Sequence, residues 1–109
     1  MTMLSPAPKR PYKRRKPVRR KRNNFSKKVR QEVYEENNGL CQQCGGIGTE
    51  IHHVYPRSRG GRGVKTNALL VCHDCHREIH QNNDLLNDWI RHYKSFYGDD
   101  FYKDRWDLE

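Results

Sequence analysis

A small α+β domain is what this 109-residue sequence predicts, and three observations carry the prediction. Two Cys-x-x-Cys pairs, Cys41/Cys44 and Cys72/Cys75, stand 27 residues apart. Two short segments rich in β-branched or aliphatic residues, 49–54 and 68–71, lie between them. Apolar residues recur at helical spacing before the first pair and after the second. With 33% hydrophobic residues the chain cannot bury a sizeable core, so something besides apolar packing must help hold it together.

The elements follow in order. Residues 1–31 carry 13 Lys or Arg and no acid, whereas the remainder has nine basic residues against 13 acids, a net of −4. The basicity is therefore an appendage. Residues 1–24 repel themselves and offer little to bury, so they read as a disordered basic arm whose counterpart is a polyanion, most simply a nucleic acid. A solubilising tail and a nuclear-import signal share that composition. Residues 25–109 form the folded domain. Ser26 is placed to cap a helix over about 27–37 with Val29, Val33 and Tyr34 on one face, and Asn38-Gly39 stops it. Gly45-Gly46 permits the tight turn after Cys44. The first strand carries His52 and His53 and ends before Pro56; a basic glycine loop, 57–63, leads to the second strand, Ala68 to Val71. A short helix from about Asp74 carries His76 and His80. Asp84 then caps a longer one, about 84–97, that buries Leu85, Leu86, Trp89, Ile90, Tyr93 and Phe96 and stops at Gly98.

No apolar run is long enough to span a membrane, and the N-terminus lacks a hydrophobic signal region. The protein is expected in the cytoplasm, neither secreted nor membrane-associated. In a reducing compartment two close cysteine pairs favour a metal over disulfides, and four soft thiolates at about 2.3 Å suit tetrahedral zinc. Chelation is then expected to loosen the fold. Cys72-His73-Asp74-Cys75-His76 also fits the C-x-x-C-H pattern of haem attachment, which would require export and leave Cys41 and Cys44 unused. A two-cysteine, two-histidine finger using His76 and His80 has too long a gap. His76 and His80, four apart on a helix, share a face and can reach one ion. The helix is not that of a metalloprotease, because Arg77 stands where Glu must follow the first His. Surface histidines beside a zinc knuckle are the plainer alternative.

The ordered combination resembles the HNH endonuclease family: C-x-x-C, then Glu50-Ile51-His52-His53, Pro56-Arg57-Ser58-Arg59-Gly60-Gly61, Asn67 to Cys72, then Cys75-His76 and His80. The resemblance covers about residues 40–80 and fits best the branch with a four-cysteine zinc site. It implies a ββα-metal fold, with structural zinc on Cys41, Cys44, Cys72 and Cys75 and a second, catalytic ion in the cleft. It further implies that His53 is the general base, that His52 and His76 are ligands of the catalytic ion, and that His80 adds the ligand that colicin-type members place one turn later. Asn67 matches an asparagine that braces the loop. Glu50 matches an acid that orients a phosphate-binding Arg. Arg57, Arg59 and Arg62 are candidates to hold the phosphate backbone. His73 and His92 read as non-functional. Successive strand residues point to opposite faces, so His52 and His53 serve one site only if the strand bends there.

The expected activity is metal-dependent hydrolysis of DNA with low sequence specificity, by nicking or double-strand cutting. Three neutral imidazoles are softer than the Asp and Asn ligands of magnesium-dependent members, so Mn2+, Co2+ or Ni2+ is expected to outperform Mg2+. The competing class is a non-catalytic zinc module that binds nucleic acid through the arm; a structural subunit docking through the aromatic segment Trp89 to Trp106 is a third. A setting in a larger DNA-processing assembly, viral or of a mobile element, fits a relaxed nuclease. Deleting residues 1–24 is expected to weaken DNA binding and flatten its dependence on salt; an unchanged slope in a binding titration would assign the arm another role.

Overall fold

The computed structural model describes residues 16–108. It is a small α+β fold: α1 Arg19–Asn23, α2 Lys27–Glu36, β1 Glu50–His53, β2 Ala68–Val71, α3 His73–Gln81, α4 Asn83–Tyr97 and α5 Arg105–Leu108, with 3₁₀ turns at Arg57–Arg59 and Lys65–Asn67. No helix among the described residues is long and apolar enough to cross a membrane.

The two strands pair antiparallel, Glu50 opposite Val71, Ile51 opposite Leu70, His52 opposite Leu69 and His53 opposite Ala68. Every residue of β2 is buried, because helices cover both faces of the hairpin. Leu69 and Val71 enter one core cluster with Val54, Ile79, Leu86 and Phe101; Ala68 and Leu70 enter another with Phe25 and Val33. Cross-strand partners share a face. His52 therefore points with Leu69 toward α3, and His53 points with Ala68 toward Phe25 and α2.

The helix boundaries have local causes. Ser26 caps α2, its Oγ accepting from the Val29 N–H at 3.2 Å. Tyr34, expected on the buried face, is half-exposed because its ring lies over Gly39 beyond the helix end. At α4 the cap is Asn82 and not Asp84: its Oδ1 accepts from the N–H groups of Asp84 and Leu85. Gly98 ends that helix at φ +96°. Phe96, expected on the buried face, is 72% exposed; Phe101, after the glycine turn, returns to fill the core beside Tyr93 at 6.0 Å between ring centroids.

The larger correction concerns the arm. Residues 1–15 of it lie outside the described residues, but residues 19–23 form α1 and belong to the folded body. Arg22 donates from Nε and Nη2 to the two carboxylate oxygens of Asp104 at 2.8 and 2.9 Å, and from Nη2 to Asp107 at 2.7 Å. Desolvating three charged groups is repaid only by such tight pairing. The hydrogen bond from Arg22 holds the Asp104 carboxyl below its ordinary range, and that from Arg62 does the same for Asp107. A deletion ending at residue 24 thus removes part of the domain along with the arm. Helix α5, absent from the sequence reading, exists because Asp104 Oδ1 accepts the N–H groups of Trp106 and Asp107.

Ile79 is fully buried between the hairpin and α4. Replacing it by Ala is expected to destabilise the zinc-loaded protein by about 2–5 kcal/mol, measured by urea unfolding.

Candidate metal centre and active-site cleft

Two clusters of metal-ligating side chains stand among the described residues, Cys41/Cys44/Cys72/Cys75 and His52/His76/His80, and within each cluster one ligand atom per residue lies within 4.8 Å of all the others. In the first, Gly45 at φ +80° closes the turn after Cys44, its N–H donating to the Cys41 carbonyl at 2.9 Å. The backbone N–H of Cys44 donates to Cys41 Sγ and that of Cys75 to Cys72 Sγ, each at 3.4 Å. Burial pushes the Cys41 thiol up, but backbone N–H groups outweigh it and bring it down to about 6, the thiolate form a metal requires. Cys44 and Cys72 Sγ are 3.8 Å apart, close to the edge of about 3.8 Å expected for a tetrahedron with Zn–S bonds of about 2.3 Å. The four cysteines are positioned for a zinc site.

The hairpin register builds the second cluster. His52 from β1 meets His76 and His80 from α3, with ring centroids 5.1 and 5.3 Å away. His76 and His80 approach to 3.1 Å between their Nε2 atoms. His52 is 2% exposed, and both its ring nitrogens are buried without a hydrogen-bond partner. Orphaned polar atoms of that kind are costly, and a cation accepting lone pairs from the three rings removes the cost. Burial first, then the nearby His76, His80 and His53, push His52 down to about 3, so it is neutral and ready to ligate. The residues present fit a divalent ion.

Glu50 was expected to orient an arginine. Its carboxylate instead accepts from His76 Nδ1 at 2.7 Å and from His73 Nδ1 at 2.8 Å. A carboxylate only accepts, so His76 carries its proton on Nδ1 and leaves Nε2 for a metal. His73, read as non-functional, is the second anchor of that carboxylate. The hydrogen bonds from His76 and His73 lower the Glu50 pKa.

His53 occupies the opposite strand face, stacked on Phe25 with centroids 4.1 Å apart. Its Nε2 lies 2.5 Å from the main-chain oxygen of Asn23. A carbonyl oxygen only accepts, so Nε2 bears the proton and Nδ1 the lone pair. Burial lowers the His53 pKa, with Asn23 opposing. Strand β1 is paired in regular register up to His53, where it ends. One cavity of about 740 Å³ is bordered by His52, His53, His76 and His80 together with Arg57 and Arg59. Arg30 of α2, Asn24 and Phe25 line it too; the sequence reading missed them, although the break in the basic run at Asn23-Asn24-Phe25 was the available signal.

Asn67 is fully buried and braces the loop, its Oδ1 accepting from Tyr55 N–H at 2.7 Å and its Nδ2 donating to the Tyr55 and Arg62 carbonyls. Arg62, expected on the phosphate backbone, is turned into the fold. Its guanidinium donates to both Asp107 oxygens at 2.9 and 3.1 Å and to Asn23 Oδ1 at 2.7 Å. His92 lies on α4 beside Trp89, away from both clusters.

Residues 41–82 match the family model for the HNH endonuclease. The chain carries an HNH domain. Its hairpin and α3 hold the histidine cluster, and the turn before β1 brings Cys41 and Cys44 to Cys72 and Cys75 at the start of α3. Over 66 residues the chain is 30% identical to the type IV methyl-directed restriction enzyme EcoKMcrA of Escherichia coli (strain K12), covering 51% of this chain and 24% of that protein. Over 57 residues it is 30% identical to a mitochondrial DNA mismatch repair protein mutS homolog of Sarcophyton glaucum, covering 47% of this chain and 6% of that one. The chain thus corresponds to a quarter or less of the length of these relatives.

Replacing Glu50 by Gln is expected to weaken divalent-ion binding at the histidine cluster by about 10–100-fold. Co2+ titrated onto zinc-loaded protein and followed by its visible absorption measures this; unchanged affinity would show that Glu50 does not support His76.

Proposed function

We propose that the HNH domain makes this chain a metal-dependent DNA endonuclease of low sequence specificity. The observation that carries the reading is the pair of unpartnered His52 nitrogens beside His76 and His80, in the same cavity that His53 borders. A binding module has no use for a neutral imidazole with a free lone pair beside a metal-ligand set. The HNH match and the two relatives, named as a restriction enzyme and a DNA mismatch repair protein, support DNA as the substrate.

The chemistry follows from where charge develops. Water attacking the phosphodiester gives up a proton, and His53 Nδ1 receives it, Nε2 being committed to Asn23. Negative charge then grows on the phosphoryl oxygens and the departing 3′ oxygen. A divalent ion held by His52, His76 and His80 supplies Lewis-acid stabilisation of that charge. Arg57 and Arg59 border the cavity and have no salt-bridge partner among the described residues, so they are free to hold phosphates. Arg30 joins them from α2 and replaces Arg62 in that role. None of these groups reads base edges, which is why sequence preference is expected to be weak. Three imidazoles favour Mn2+, Co2+ or Ni2+ over Mg2+. Such an activity suits a larger DNA-processing assembly of a virus or mobile element, with the exposed Phe96 and Tyr97 of α4 as contact residues.

Supercoiled plasmid incubated with a panel of divalent ions tests the reading. Cleavage is expected with Mn2+, Co2+ or Ni2+, and His53→Ala is expected to slow it by about 10²–10⁴-fold while zinc content and DNA affinity persist. Undiminished turnover in that variant would overturn the role of His53, and a clear magnesium preference would contradict the ligand set.

A further inference from the structure

The basic side chains of this domain fall into two groups. Those bordering the cleft, Arg30, Arg57 and Arg59, have no acidic partner among the described residues, whereas Arg22 and Arg62 are spent on Asp104 and Asp107. These two arginines are only 6% and 14% exposed. A buried ion cluster contributes little net stability relative to apolar packing, yet it fixes geometry through directed, two-pronged hydrogen bonds. What it fixes here is Asn23. Arg62 Nη1 donates to Asn23 Oδ1 at 2.7 Å, and Arg22, one residue earlier, is locked by both aspartates. Asn23 is itself 4% exposed. The segment is also pinned through its backbone: the Gly63 N–H donates to the Arg22 carbonyl at 2.8 Å, and a Cβ on Gly63 would stand 2.1 Å from the Asn24 oxygen. This arrangement presents the Asn23 carbonyl to His53, and it accepts the Nε2 proton.

We infer that Arg62 and Asp107 are positioning residues for His53: the C-terminal turn, acting through Arg62, holds Asn23 where its carbonyl selects the tautomer and orientation of the imidazole. The inference rests on the nuclease reading for its kinetic consequence but not for its structural one. Asp107 lies 54 positions from His53 in the sequence and reaches it through two intermediaries. An imidazole in the other tautomer would offer a proton where a lone pair is needed, and a base displaced by about 1 Å loses about a hundredfold in rate.

Two variants and two readouts test this on zinc-loaded full-length protein. Asp107→Asn removes the charge that anchors Arg62, and Asn23→Ala cuts only the Arg62 contact while keeping the main-chain carbonyl. In each, kcat on duplex DNA is expected to fall about tenfold or more, the milder loss in Asn23→Ala, with KM and Co2+ affinity of the histidine cluster changed by less than about twofold. In nitrogen-15 NMR the His53 side chain is expected to show a protected Nε2–H in the parent protein, identified by its disappearance in His53→Ala, and to lose that protection in both variants. Retention of kcat and of the protected proton in folded Asp107→Asn would overturn the inference, as would an Nδ1–H tautomer in the parent. A fall of kcat accompanied by a rise in KM and a loss of metal affinity would mark a merely structural role and overturn it equally. Should Asp107→Asn lose its zinc and unfold, Asn23→Ala decides by the same criteria. If the parent cuts no DNA under any ion, the nuclease reading fails, and the NMR comparison alone judges the positioning.

Discussion

The antiparallel register that sets His52 opposite Leu69 and His53 opposite Ala68 is the constraint from which the rest of the site follows. Side chains alternate across a strand, so a slip of one residue would send His52 toward Phe25 and His53 into the core beside α3. Both faces of the hairpin are covered, so a slip would also drive each β2 side chain into the cluster that packs the other face. The same apolar packing that stabilises the fold therefore decides which histidine meets His76 and His80 of α3 and which meets the Asn23 carbonyl. Two adjacent residues of one chemical type thus stand in different surroundings, one enclosed with other imidazoles and the other stacked on an aromatic ring and bonded to a carbonyl oxygen.

Helix α3 joins the two ligand clusters mechanically. Cys72 caps it, Cys75 lies in its first turn, His76 follows immediately and His80 stands one turn on. A zinc on the four thiolates would fix the start of this helix, and with it the height at which His76 and His80 face His52. Glu50 strengthens the link, since its carboxylate holds His73 inside the knuckle and His76 in the cleft at once. A zinc bound there would do work that side-chain burial does in larger domains, so that a small apolar core suffices.

Charge is arranged with the same economy. Arginines near the cleft have no acidic partner among the described residues and leave its rim positive, while Arg22 and Arg62 tie the first and last described segments together around Asn23. Composition shows how many cations a segment has but not which of them fold back onto an acid. Arg62 sits in a glycine-rich loop beside Arg57 and Arg59, and nothing local distinguishes it; only Asp107, 45 positions later, does.

The sequence by itself determined the hairpin, helices α2 to α4 and which cysteines and histidines cluster. Cysteine spacing, the i, i+4 histidines and the β-branched segments are short-range signals, and they placed β2, both ligand clusters and the loop-bracing Asn67, because the physics behind them acts within a turn or a hairpin. Tertiary structure alone decided the partners: that Glu50 supports His76, that Arg62 belongs to the fold, that residues 19–23 join the domain and that the Asn23 carbonyl meets His53. Each of these depends on groups brought together across 26 to 85 positions, by a packing of helices and loops that no local pattern encodes. Hydrogen bonds between distant side chains carry no periodicity, so they become visible only once the chain has closed on itself.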